Sequence, residues 1–518
     1  MNPWSRPTTF AETWRRAVAA HPRSTFLVFE GPDGAAREWT YREFDAVVAR
    51  GASFLRGHGV DRADSVHLAL TNSPVFVAIW LATVSLGAWV VPSDPMGTAA
   101  ELAGHVERTR PIVGFCARDR AVTYRAAAGS TVVVAVDEAD TELAFLGDHA
   151  LTALPDVDVR DRAAVMFTSG TTGRPKGVEI TQANYAFAGW AMANSAGLES
   201  HHRQLVVLPM FHANAQYYSF ASAIWAGASV ALMHTFSAGG FLAQAARHRA
   251  THASLFAAPI RMILSRGGTP VEGCRLQHCW YAMNISDDQY SALADLLGCA
   301  PRQLYGMTET IPAVLTNEVD DPLPSCMGTV TPGCDVQVQG PDGAPVAPGE
   351  VGEIVVGGER GVTLFAGYLD DPDTTAASFR DGWFLTGDRA WHDDAGRFFF
   401  DGRRADVLKV AGENVSTVEI EQVLSAHPGV LEAAVVGMAD PVRDEVPVGF
   451  VVANDPRHPP AIAELHEWCA QRLSKAKRPR EITLVDELPR TSVGKIRKFL
   501  LRDPDAERRP CPSDEVLT

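Results

Sequence analysis

Ten consecutive residues, Thr168-Ser169-Gly170-Thr171-Thr172-Gly173-Arg174-Pro175-Lys176-Gly177, gather four hydroxyls, three glycines and a lysine. They follow the apolar run Ala163–Phe167, which reads as a buried strand. Hydroxyl and backbone N–H donors on a glycine-permitted turn can wrap phosphate oxygens, and a lysine offsets their charge. No Gly-Lys-Ser/Thr ends the segment, so it is not a Walker A loop. A polar surface loop would use the same residue types. Their density directly after a strand favours a phosphate grip.

Four later segments also hold residues able to do chemistry: Tyr305-Gly306-Met307-Thr308-Glu309-Thr310, Trp383-Phe384-Leu385-Thr386-Gly387-Asp388, Gly402-Arg403-Arg404-Ala405-Asp406 and Pro489-Arg490-Thr491-Ser492-Val493-Gly494-Lys495. Taken singly, Tyr305 reads as a core aromatic, Asp388 as a turn residue and Lys495 as a surface lysine. Glu309 is a hard oxygen donor set in an otherwise apolar stretch. Together and in this order, the five segments resemble the signature of the superfamily of acyl-CoA synthetases, peptide-synthetase adenylation domains and luciferases.

That resemblance implies an ATP-dependent, adenylate-forming enzyme. A carboxylate oxygen would attack the α-phosphate of ATP and expel pyrophosphate, so catalysis would rest on positioning and charge stabilisation. By the same resemblance, Thr168, Ser169, Gly170, Thr171, Thr172, Gly173 and Lys176 hold phosphates, and Tyr305, Gly306, Met307 and Thr308 line the adenine side. Glu309 would bind Mg2+, directly or through water. Asp388 would accept from the ribose hydroxyls, with Arg403 beside the ribose or phosphates. Lys495 would bridge the substrate carboxylate and the α-phosphate, in a catalytic set with Thr308, Glu309 and His212. Asp406 resembles a hinge about which a small domain turns. Gly412, in Ala411-Gly412-Glu413-Asn414-Val415-Ser416, resembles the glycine beside a thiol tunnel, which makes CoA the expected co-substrate; a simple turn would also use Gly412.

Where most members carry a Gly-Gly-Ala-Pro type segment, this chain has Trp280-Tyr281-Ala282-Met283-Asn284-Ile285-Ser286. That departure is most similar to the carnitine and crotonobetaine CoA ligase branch. Ala282, Met283 and Asn284 are expected at the substrate, with Met283 and Asn284 intruding and favouring a short or flat acid. Phe211-His212-Ala213-Asn214-Ala215-Gln216-Tyr217-Tyr218 resembles the segment that gates the acyl pocket. His212 would be the gate, although a lone histidine is otherwise more often a satisfied core residue. Asn214, Gln216, Tyr217 and Tyr218 offer polar handles beside aromatic faces, which suits a polar or aromatic small acid.

The partners expected are therefore a small carboxylic acid and CoA or a free-standing carrier protein, while a homodimer stays open. No acyl-carrier segment is fused to the chain, so a free-standing ligase is expected over a peptide-synthetase module. Some relatives are diazotases, which activate nitrite as an adenylate and diazotise an aromatic amine; the loop, Glu309 and Lys495 would serve nitrite equally. A nucleotide-binding protein that has lost catalysis is disfavoured by the intact Glu309, Asp388, Arg403 and Lys495.

These residues need a scaffold, and the chain's patterning supplies one. Its 518 residues, 46% hydrophobic and 21% charged, suit a soluble protein of two or more domains. A formal net charge of -16 argues against a general nucleic-acid binder. The first residues lack a secretory pattern and the eight cysteines lack zinc or staple spacing, so a cytoplasmic protein with reduced thiols is expected. Ser73 to Pro92 carries no charge and imitates a membrane span, but Pro74, Gly87 and Pro92 predict a buried helix, Val75–Leu86, and a strand, Trp89–Val91.

Phe44–Leu55 has helical spacing, while Ser65–Leu70, Val132–Val136, Leu205–Leu208, Ser229–Met233 and Ala253–Phe256 read as strands. The fold class expected is α/β: a large N-terminal domain (1–402) of mixed βα subdomains plus a small, mostly antiparallel β region from about Met327 to Phe400. A hinge (403–406) would join it to a small α+β C-terminal domain (407–518).

Overall fold

The computed structural model describes residues 6–151, 153–168, 175–320, 322–403, 407–410, 413–440, 444–490 and 496–502. The backbone alone is described at Arg403, Val407, Lys409, Glu413, Asn414, Asp444 and Phe499. The chain forms two compact units. The first comprises Met1–Gln337, Val355–Leu385 and Gly396–Phe398, and the second Val338–Ile354, Thr386–Ala395 and Phe399–Thr518.

The first unit holds two large sheets. One has nine strands in the order Thr329–Val330, Leu315–Thr316, Arg302–Tyr305, His278–Ala282, His252–Phe256, Arg203–Val206, Ser229–Met233, Thr25–Glu30, Ala36–Thr40. Its six middle members run parallel and its outer pairs antiparallel. The other has seven, ordered Gly367–Tyr368, Lys176–Thr181, Arg162–Thr168, Trp89–Pro92, Ser65–Ala69, Val113–Ala117, Val132–Val136. Strands joined through helices and covered on both faces give the near-continuous apolar runs read in the sequence. The strand expected at Leu205–Leu208 is Arg203–Val206, because Val207 and Leu208 are buried beyond the last ladder bond.

The charge-free stretch is a core helix, Pro74–Ser85, with every residue buried. Ser73 caps it by accepting from the Phe76 N–H at 3.3 Å, and Pro74 occupies its first turn. Among the described residues no helix is long and apolar enough to cross a membrane.

The hairpin Arg162–Thr168 and Lys176–Thr181 bears directly on function. Its antiparallel register runs from Arg162 opposite Thr181 to Thr168 opposite Lys176. The hydroxyl- and glycine-rich segment therefore runs between two neighbouring strands of one sheet, and Lys176 belongs to the second of them.

The second unit contains the small α+β fold expected toward the C-terminus, together with Val338–Ile354 and Thr386–Ala395. Val430–Asp440 pairs antiparallel with Asp444–Ala453, which pairs in parallel with Glu481–Leu484. Helices Thr417–Ser425 and Ile462–Arg472 close a core of Leu408, Ile420, Leu424, Val435, Val451, Leu465 and Ile482. The glycine- and proline-rich stretch from Met327 supplies short strands such as Asp335–Gln339, Gly352–Gly357 and Phe379–Arg380, and its residues are divided between the two units. All cysteines among the described residues are free thiols.

Candidate active site

Gly367–Tyr368 is a two-residue strand on the edge of the seven-stranded sheet, antiparallel to Lys176–Thr181, with Tyr368 opposite Val178. This pairing lays the Tyr368 ring beneath the Lys176 ammonium, with Nζ 4.6 Å from the ring centroid. The Tyr368 hydroxyl donates to Glu309 Oε1 at 3.0 Å. Burial first, and then the Glu309 charge, push the phenol's pKa well above its ordinary value, so it keeps the proton it donates. One side chain thus joins the lysine expected to hold phosphate to the carboxylate expected to bind a metal. Tyr368 was not among the residues singled out in the sequence, because nothing local distinguishes it from other aromatics of that stretch.

Glu309 lies on a single tight turn, Thr308–Thr310, and is buried. Thr310 Oγ1 accepts from Met307 N–H at 3.0 Å and donates back to the Met307 carbonyl, fixing the turn. The Glu309 carbonyl accepts from Phe365 N–H at 3.0 Å. Tyr305 ends the strand before this turn and is buried. A side chain at Gly306 would place its Cβ 2.8 Å from Ala313 Cα and 2.9 Å from the Pro312 carbonyl oxygen. Only glycine permits that approach.

His212, Asn214, Tyr217 and Tyr218 lie in and just before an eight-residue π-helix, Asn214–Ala221. Such helices are rare and frequent at functional sites. Tyr217 is fully buried and Asn214 nearly so, yet the Tyr217 hydroxyl and both amide atoms of Asn214 lack hydrogen-bond partners. Burial foremost, then Tyr185, Tyr218 and Glu309, push the Tyr217 phenol upward, so it too is a neutral O–H. His212 is half-buried, its ring 4.6 Å from that of Phe211.

Ala282 ends the strand His278–Ala282. Met283 follows with φ 72° and a side chain 43% exposed. Asn284 is braced: its Oδ1 accepts from Gln303 Nε2 at 2.8 Å and its carbonyl from Arg261 at 3.4 Å.

The first unit therefore brings Thr168, Lys176, Tyr305, Gly306, Met307, Thr308 and Glu309 onto neighbouring ends of its sheets. Asp388 belongs to the second unit, buried in the strand Trp383–His392, where its N–H donates to Thr386 Oγ1 at 3.1 Å. Arg403 ends the strand Phe398–Arg403. Ser169, Gly170, Thr171, Thr172, Gly173, Asp406, Gly412 and Lys495 lie outside the described residues.

No group of three or more His, Cys, Asp or Glu side chains among the described residues could hold a metal by itself. A buried carboxylate on one rigid turn fits Mg2+, which is commonly held by one or two carboxylates together with substrate phosphates.

The chain resembles known proteins over most of its length. The sequence profile of the AMP-binding enzyme family matches residues 14–369, and that of the AMP-binding enzyme C-terminal domain matches residues 419–495. The crotonobetaine/carnitine–CoA ligase of Escherichia coli is 30% identical over 503 residues, covering 94% of this chain and 97% of its own. ATP-bound MatB from Rhodopseudomonas palustris superposes with a TM-score of 0.87 at 26% identity, covering 96% of this chain and 99% of that one. The o-succinylbenzoate CoA synthetase of Bacillus subtilis, in complex with its acyl-adenylate intermediate, superposes with a TM-score of 0.84 at 26% identity over 96% and 98% of the two chains.

Proposed function

We propose, given that this chain belongs to the AMP-binding enzyme family of adenylate-forming acyl-CoA ligases, that it activates a small, polar carboxylic acid with ATP and passes the acyl group to CoA. In the first step a carboxylate oxygen bonds to the α-phosphorus and the bond to the β-phosphate bridging oxygen breaks, releasing pyrophosphate. In the second, the CoA thiolate bonds to the acyl carbon and AMP leaves.

The observation that carries this reading is the contact of Tyr368 with both Lys176 and Glu309. A cation suited to phosphate and a carboxylate suited to a metal are held by one rigid ring. Mg2+ would be held by Glu309 and the nucleotide, and would neutralise phosphate charge. Thr168, Lys176 and residues 169–173 would hold the phosphates, and Tyr305 would pack on adenine. Asp388 and Arg403 would serve the ribose, and Lys495 the substrate carboxylate. We further propose the division 1–402, 403–406 and 407–518, with Asp406 as the hinge and Gly412 beside the thiol. A polar acid is favoured by Asn214 and Tyr217, whose buried unpaired atoms would gain partners from substrate hydroxyl, amine or carbonyl groups.

The test is pyrophosphate release with a panel of small hydroxy, amino and alkyl acids, and separately with nitrite, each with and without CoA and with products read by mass. Acid-dependent pyrophosphate and a CoA thioester are expected, with polar acids ahead of alkyl ones of equal size. Nitrite-dependent pyrophosphate with nitrogen transfer to an aromatic amine would overturn the reading. Lys495→Ala should abolish pyrophosphate release while calorimetry still detects ATP binding.

A further inference from the structure

Helix Ala99–Thr109 carries Arg108 in its last turn. Its guanidinium lies 4.8 Å over the Phe167 ring, and Nη1 donates to the Pro175 carbonyl at 2.6 Å. Phe167 precedes Thr168 at the end of one hairpin strand, and Pro175 precedes Lys176 at the start of the other. Arg108 therefore touches both strand ends from outside the hairpin.

The helix that presents it is held firmly. Thr98 and Glu101 form a reciprocal capping box at its start. One turn before Arg108, the His105 imidazole stacks on the Phe167 ring, with centroids 4.1 Å apart and planes 3° from parallel. His105 Nδ1 lies 2.8 Å from Ser93 Oγ, which lies 2.7 Å from His67 Nε2, whose Nδ1 lies 2.6 Å from the Tyr124 hydroxyl. Half-buried Asp371 feels the charges of both Lys176 and Arg108.

We propose that Arg108 is a positioning residue for ATP: by holding Phe167 and Pro175 at once it fixes the spacing at which Thr168 and Lys176 are presented to the phosphates. This rests on the adenylate-forming reading above. A flat guanidinium can cover a ring and bond an in-plane carbonyl together, which an ammonium cannot do equally well. If Arg108 served only to cap its helix, its loss would lower stability without favouring one substrate over another.

The test compares Arg108→Met and Arg108→Lys with the wild-type chain. For Arg108→Met, the KM for ATP should rise about tenfold, as loss of a charge-assisted bond predicts, with kcat and the KM for the acid within about twofold. Arg108→Lys should recover part of the loss. Without nucleotide, amide hydrogen exchange at 165–168 and 176–179 should quicken in Arg108→Met and stay unchanged across the nine-stranded sheet. Unchanged KM for ATP and unchanged exchange would overturn the proposal, as would equal rises in both KM values with a lowered Tm. Should the wild-type chain release no pyrophosphate with any acid, the functional reading fails, and the exchange measurement alone decides the role of Arg108.

Discussion

The Tyr368 phenol donates to Glu309 Oε1 at 3.0 Å, from a strand that lies 59 positions further along the chain. The bond helps to orient the carboxylate, and the ring that supplies it also supports Lys176. Tyr368→Phe removes the bond and keeps the ring. Loss of one hydrogen bond to a charged group predicts a fall in kcat of about tenfold or more. The Mg2+ concentration for half-maximal pyrophosphate release should rise, while ATP affinity changes little. An unaltered Mg2+ dependence would mean that the hydroxyl merely fills a buried acceptor.

Asn214 and Tyr217 hold three polar atoms out of water without partners. Each such atom costs stability in the free protein and rewards a ligand that pairs with it. Asn214→Leu and Tyr217→Phe should therefore raise Tm by about 1–3 °C each and raise the KM for the acid. Thermal unfolding and acid-dependent pyrophosphate release check the two halves separately. A lowered Tm together with an unchanged KM would show that these atoms do not await a substrate.

Met283 adopts a left-handed backbone, φ 72°, with much of its side chain in solvent. Glycine relieves that strain while adding flexibility to the unfolded chain, and a β-branched residue worsens it. Met283→Gly should be at least as stable as the wild-type chain, and Met283→Val less stable by about 1–2 kcal/mol. Denaturant unfolding of the three proteins ranks them. If valine proves as stable as methionine, the turn is not strained.

His67 and His252, both buried, and half-buried His105 make stability depend on acidity. Burial lowers the pKa of His67 to about 3 and those of His105 and His252 to about 4. His105 also feels Arg108, and His67 feels His105. All three are neutral when folded at neutral pH, whereas in the unfolded chain they gain protons below about 6.5. Their contribution is therefore intact above that value and is lost as pH falls toward 4 and 3. Tm should decline through this window, and His105→Gln should flatten the decline between 6.5 and 4. A Tm independent of pH across that range would contradict this assignment.

Features that live in contiguous residues were readable before any coordinates. The hydroxyl-rich run after Ala163–Phe167 marks the end of a strand at Thr168. The core helix Pro74–Ser85 is betrayed by Pro74, Gly87 and Pro92, since its apolar residues run all round and show no face. What escaped depends on long-range pairing. Tyr368 reaches Lys176 only because strands nearly two hundred positions apart share an edge. Arg108 meets Phe167 and Pro175 for a similar reason, and neither residue carries a local pattern that distinguishes it. Two-residue strands such as Gly367–Tyr368 and Phe379–Arg380 are too short for an alternation to show.

The π-helix Asn214–Ala221 is wound with more residues per turn than the α-helix Ser222–Ala226 that continues it. Deleting a single residue there would let the ordinary ladder close through the whole segment and rotate each upstream side chain by about 100° relative to the rest. Asn214 and Tyr217 would then face different parts of the surrounding core, since every residue of this helix is buried. Chain length, and not residue identity alone, is thus a coordinate along which the proposed acid site can diverge. A homologue one residue shorter in this segment could keep the ATP chemistry intact while accepting a different acid.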